Sequence, residues 1–159
     1  MTKSDCLFCN CKRNPTEVIL FENKTAVVRL DHAPVAPGHM QVLPKDHYVN
    51  ISDIPDSVWS DMFECINMAQ AIPGKTILKK YYEAMLKDAY QPEFDRFVKK
   101  VLASKYLDKI PDAFTVGIND GKAAGRFIDH CHIHIIPRYW GDLEHPEGGI
   151  RVIFGDGSY

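Results

Sequence analysis

The chain has 159 residues, 45% of them hydrophobic, with 10 glycines, 10 prolines and 5 cysteines. Those proportions suit one domain with a real core and exclude a collagen-like repeat, a disulfide-dense miniprotein and a disordered tail. Nineteen basic against twenty-one acidic residues give a formal charge of −2. Nothing in that balance predicts broad binding to a nucleic-acid polymer or an anionic membrane, although a local positive pocket for a phosphate stays open. No apolar run reaches the ~18 residues of a spanning helix. Met1–Asn10 lacks the basic-then-apolar pattern of a secretory signal. A soluble, cytoplasmic protein is expected.

In chain order, Thr16–Phe21, Thr25–Asp31 and His39–Pro44 are short runs rich in Val, Ile and Leu. Turn residues such as Glu22-Asn23 and Pro37-Gly38 separate them, which predicts strands. The period then changes. In Asp56–Ile72 the apolar residues Trp59, Met62, Phe63, Ile66 and Ala69 recur at helical spacing, with Asp53 or Asp56 available as a cap. Lys75–Gln91 repeats the pattern through Leu78, Tyr81, Tyr82, Met85 and Ala89 until Pro92 stops it. Glu93–Ser104 adds a third stripe through Phe94, Phe97, Val98, Val101 and Leu102. Strand character returns at Phe114–Ile118. The loop Asn119–Gly125 then leads to a last strand, His130–Ile136, which Pro137 should end. Strands, helices and strands again predict an α+β fold with a mostly antiparallel sheet. No repeat or low-complexity segment marks a boundary, so residues 1–159 read as one domain.

Alternation of side chains along a strand puts His130, His132 and His134 on one face, about 6.6 Å apart, and Cys131, Ile133 and Ile135 on the other. The second face suits a core. The first is a row of imidazoles, costly unless hydrogen-bonded, metal-bound or catalytic. All three could ligate one metal ion, as in a zinc-dependent hydrolase, but ligands on one flat strand diverge. Alternatively, a neutral imidazole attacks phosphorus with one nitrogen while the other is held by an acceptor, and its neighbours stabilise the developing charge. Asn119–Gly125 carries Gly121 and Gly125 but no phosphate-cradling or dinucleotide fingerprint, so no organic cofactor is expected.

The stretch His130-Cys131-His132-Ile133-His134-Ile135-Ile136 resembles the signature of the histidine-triad (HIT) superfamily. Asp31 to His39, with Val42-Leu43-Pro44-Lys45 and His47, resembles the family's first half. Gly117 to Gly121, with Ala124-Gly125, resembles its second. The resemblance covers roughly residues 5–50 and 114–154. The helical stretch around 73–110 is longer than the connecting helix the resemblance implies and reads as an insertion. The family implies a small α+β fold, a homodimer, and hydrolysis or transfer of a nucleoside monophosphate through a covalent nucleotidyl-histidine. By position, His132 resembles the nucleophile, and His134 and His39 the phosphate-contacting histidines. His130 is the first triad member, while Asp31 sits at the ribose-binding position and Asn119 at a substrate-facing one. After Gly125 the family shows Gln and then Ser or Thr; here Arg126, which could bind phosphate, and Phe127 stand there. Arg138, Gly141-Asp142 and Gly148 to Arg151 resemble the branch that hydrolyses dinucleoside polyphosphates, with adenosine phosphoramidates as the alternative substrates. A non-catalytic nucleotide-binding protein is the further alternative.

Five cysteines is an odd count, and Cys6, Cys9 and Cys11 crowd together. A reducing compartment turns that cluster towards metal, while Cys65 and Cys131 read as plain buried thiols. Members of the family with an amino-terminal Cys-x-x-Cys complete a structural zinc site with two histidines. That implies Cys6, Cys9, His47 and His130 here.

Overall fold

The computed structural model describes residues 5–13, 17–73, 77–87, 94–107 and 109–147. Five strands, β1 (Ile19–Glu22), β2 (Ala26–Leu30), β3 (Met40–Pro44), β4 (Ala113–Gly117) and β5 (Ile133–Arg138), form one antiparallel sheet in the order β1-β2-β3-β5-β4. Helix α1 (Asp56–Ala71) packs on β1, β2, β3 and β5, and α2 (Leu78–Lys87) packs on α3 (Asp95–Leu102). The α+β expectation holds. Among the described residues no helix is long and apolar enough to cross a membrane.

Alternation decides the two faces. Ala26, Val28 and Leu30 of β2, Met40 and Val42 of β3, and Ile133 and Ile135 of β5 meet Val58, Met62, Cys65 and Ala69 of α1 in the main core. The buried stripe of α1 runs through 58, 62, 65 and 69, a four-three-four spacing that keeps one face inward. It differs from the expected stripe, because Phe63 lies 64% exposed while Trp59 and Ile66 only flank the core. Burying a side chain such as Met62 on that stripe is worth about 1.5–3 kcal/mol. Cys65 and Cys131 are buried thiols, each pushed up to about 11 by burial.

Several boundaries differ from expectation. Neither Asp53 nor Asp56 caps α1: Pro55 occupies the N-cap and its carbonyl accepts from Val58 and Trp59. Asp53 closes a short 3₁₀ turn by accepting from the Asn50 backbone. The last strand begins at Ile133, not at His130. The Cys131 N–H turns to the Tyr48 carbonyl (2.6 Å), and His130 bonds back to Ile128 (2.8 Å), so neither joins the ladder. At its other end β5 continues through Pro137 to Arg138. Arg138 faces β4 through the Asp112 N–H, so Pro137 faces the β3 side, where pairing has ended opposite Ile135 and no donor is required. Thr16, Lys75, residues 88–93 and Gly148 to Arg151 lie outside the described residues.

Candidate active site

The sheet face turned away from α1 carries the polar residues. β2 contributes Arg29 and, just beyond its end, Asp31. β3 contributes Gln41 and, just before its start, His39, while β5 contributes His134 and, just before its start, His132. Each imidazole has its tautomer assigned by its partners, because a carbonyl only accepts and a backbone N–H only donates. His132 donates from Nδ1 to the His130 carbonyl (2.8 Å). Its Nε2 therefore carries the lone pair, with no hydrogen bond among the described residues. His39 Nδ1 accepts from the Val35 N–H (3.3 Å), which places the proton on Nε2 and directs it at His134 Nδ1 (3.0 Å). His134 then holds its own proton on Nε2. The His132 and His134 rings meet edge-on at 4.9 Å.

Burial pushes His39, His132 and His134 below the ordinary imidazole range, so all three favour the neutral form. Burial alone would raise Asp31. His39, the Ala33 N–H, Arg29 and His134 outweigh that effect and hold it below the usual carboxylate range. Asp31 Oδ2 lies 3.5 Å from His39 Nε2 and 3.7 Å from His134 Nδ1. These three groups are close enough to suit a metal ion, but the proton on His39 Nε2 makes them a hydrogen-bonded cluster. Nor do the three triad imidazoles converge on one point, since His130 turns its Nδ1 towards cysteines.

The Pro37–Gly38–His39 turn that delivers His39 is fixed from the helical side. Gly38 has φ +80, and its N–H donates to the Tyr82 hydroxyl of α2 (2.8 Å). The Tyr139 hydroxyl donates to the Pro37 carbonyl (3.1 Å). A cavity of about 570 Å³ opens in front of the histidines and is lined by Asp31, His39, Asn119, His132 and His134. Phe127 stands at its mouth, 88% exposed. Arg126 is placed elsewhere. Its guanidinium donates to the Val49 carbonyl (2.7 Å) and Asn50 Oδ1 (3.2 Å), tying the loop to residues 49–50.

The cavity residues to which the sequence reading gave no role include Glu17, Arg29 and Gln41. Arg29 is 4% exposed, paired through Nε and Nη2 with Glu17 and through Nη1 with Gln41. The available signal was a charged residue inside the apolar run Ala26–Leu30.

Cys6, Cys9, His47 and His130 come together with all ligand atoms within 4.8 Å. His130 Nδ1 lies 3.5 Å from both sulfurs, and His47 Nδ1 lies 3.2 Å from Cys9 Sγ. Ligands at tetrahedral zinc stand about 3.3–3.8 Å apart, given bonds of about 2.3 Å to sulfur and 2.0–2.1 Å to nitrogen. His130 Nε2 donates to the Pro44 carbonyl (2.9 Å), leaving Nδ1 as the ligating nitrogen with the outer partner that metal-bound histidines ordinarily have. Buried Cys11 falls outside this group.

The HIT domain family matches residues 12–141. The chain is 28% identical over 137 residues to the adenylylsulfatase HINT3 of Arabidopsis thaliana, covering 86% of this chain and 53% of that protein. It is 30% identical over 134 residues to the adenosine 5′-monophosphoramidase HNT1 of Saccharomyces cerevisiae, covering 84% of this chain and 62% of that one. It therefore spans about half to three fifths of these relatives' lengths. The fold resembles that of a hypothetical histidine triad nucleotide-binding protein from Sulfolobus tokodaii, at a TM-score of 0.58 and 24% identity over 86% of this chain and 71% of that one. The family match takes in the Pro-Gly-His turn, the cavity histidines and the last strand together, and by it the chain belongs to the HIT domain family.

Proposed function

We propose that the protein hydrolyses or transfers nucleoside monophosphates through a covalent nucleotidyl-histidine on His132. One observation carries the reading: His132 Nε2 is a lone-pair nitrogen at the cavity, held there by the Nδ1–H bond to the His130 carbonyl. In the first step Nε2 attacks the α-phosphorus, the N–P bond forms and the P–O or P–N bond to the leaving group breaks. In the second, water attacks the same phosphorus and passes a proton to His134, which had protonated the leaving group, while the N–P bond breaks and neutral His132 returns. His134, with its proton on Nε2, supplies a hydrogen bond to a non-bridging oxygen and a proton for the leaving group; the chain His39 to His134 holds that orientation. Asp31 and Asn119 take the ribose and the substrate at the cavity wall.

Dinucleoside polyphosphates are the leading substrates and adenosine phosphoramidates the alternative; neither needs an organic cofactor. The group Cys6, Cys9, His47 and His130 would hold a structural zinc ion, anchoring the segment before β5 while His132 performs the chemistry. The segment around 73–110 is an insertion whose helix α2 braces the Pro37–His39 turn through Tyr82. A homodimer belongs to the same proposal, with edge strand β4 exposed for pairing. The test is a rapid acid-free quench of the reaction with α-phosphate-labelled substrate. A base-stable, acid-labile label on the protein is expected, absent in His132→Asn together with turnover. An active His132→Asn variant would refute the assignment.

A further inference from the structure

One step along the sheet from Asp31 and His39 lies the buried polar group Glu17, Arg29 and Gln41. Arg29 and Gln41 are direct cross-strand partners on β2 and β3, two residues before Asp31 and two after His39. They share that face at about 6.6–6.8 Å along the strands, a separation a ribose bridges. Phe8 closes the side, stacked under the Arg29 guanidinium at 5.2 Å and edge-on to His132 at 5.1 Å. All of these residues line the cavity.

A guanidinium buried this deeply is costly unless paired, and an apolar pair of similar volume would pack as well or better. The bonding fixes which hydrogen-bonding groups are left over. Both Glu17 oxygens accept from Arg29, and Gln41 Oε1 accepts from Arg29 Nη1. Each acceptor oxygen of the group thus already holds a guanidinium hydrogen. The hydrogens left to offer a ligand in the cavity are those of the Gln41 amide and the guanidinium hydrogens beyond the three already used, out of five.

We infer that Glu17, Arg29 and Gln41 read the nucleobase and select 6-oxopurines over adenine. The inference rests on the proposed nucleotide chemistry and deepens it. Guanine and hypoxanthine present two adjacent acceptors, O6 and N7, to such an edge, whereas adenine replaces O6 by an amino donor. Donor against donor leaves buried hydrogens unpaired, which is how a polar site rejects the wrong base. Phe8 supplies the flat apolar wall.

The experiment is calorimetric titration of the full chain with GMP, IMP and AMP, independent of turnover. GMP and IMP are expected to bind about tenfold or more tightly than AMP, the gap typical of one good two-point contact. Gln41→Leu, which keeps the Arg29–Glu17 pair, should shrink that gap to threefold or less. The doubly neutral Glu17→Gln, Arg29→Met variant, which leaves no lone buried charge, should do the same. Equal or tighter AMP binding by the unaltered protein overturns the inference, whatever the variants do, while leaving the His132 chemistry standing. A GMP preference unmoved by both variants also overturns it. If none of the three nucleotides binds, the functional reading beneath it fails as well.

Discussion

Replacing Gly38 by alanine tests how the helical layer holds the histidine face. Gly38 sits at φ +80, and a Cβ there would lie 3.2 Å from Leu78 Cδ1 and 3.3 Å from Pro137 Cγ. The left-handed backbone alone costs a residue with a Cβ about 1–2 kcal/mol. Wedging the methyl between α2 and β5 adds about 1–2 kcal/mol more, since neither the proline ring nor the buried leucine retreats freely. The sum, about 2–4 kcal/mol, corresponds to a fall in Tm of about 5–15 °C for a chain of this size. Gly125 is the control. It too is left-handed, at φ +89, but its Cβ would meet only Asn119 Nδ2 at 3.7 Å, so Gly125→Ala should show the backbone cost alone. Displacing residue 38 also shifts His39, whose Nε2–H orients His134, and kcat should fall tenfold or more. Chemical denaturation of both variants and steady-state turnover decide the matter. A Gly38→Ala loss no larger than that of Gly125→Ala, with unchanged kcat, would refute the argument.

Native mass spectrometry should find close to one zinc per chain, lost in Cys6→Ser, Cys9→Ser with a lower Tm and an intact chemical step; a stable, active, metal-free protein contradicts this. Because burial holds His39, His132 and His134 below their unfolded values, the native state binds fewer protons than the unfolded chain as pH falls through about 6.5. The associated stability is present above that value and lost towards the lower native range, so Tm should drop between pH 7.5 and 5.5. A flat or rising Tm counts against it. Sedimentation at working concentration should give a dimer, and a species of monomer mass would remove that part of the proposal.

Periodicity and composition located the five strands and three α-helices because each has a face that must be dry, whereas the short 3₁₀ turns such as Ile51–Asp53 carry no such signal. The ends were harder to read, since they depend on partners distant in sequence. His130 leaves the last strand because Tyr48 offers a carbonyl to the next N–H, and Pro137 stays within it because β3 has already ended. Within the site, the alternation of the last strand singled out His132 and His134, while His39 and the grouping of Cys6 and Cys9 with His47 and His130 came from the family resemblance, and the structure brings those four together. Arg126, offered by the sequence as a phosphate contact, has partners at Val49 and Asn50, too distant in the chain to show in a linear string. Arg29 was overlooked for the converse reason: its strand reads as ordinary apolar filling until Glu17 and Gln41 are seen around it.

His130 divides its labour between its two halves. The ring belongs to the sulfur-rich corner, while the carbonyl holds the proton of the neighbouring imidazole. The protonation pattern of His132 is therefore written in main chain, where no exchange of side chains at position 130 can rewrite it directly. What can rewrite it is movement of that carbonyl. The Pro44 carbonyl steadies position 130 independently of the amino-terminal turn, so loss of the sulfur side leaves the proton in register. Shifts of the β3 end at Pro44, by contrast, touch no substrate atom and would reach the reaction as a misdirected proton before they registered as lost packing. Screens that score damage by proximity to the cavity would pass over them.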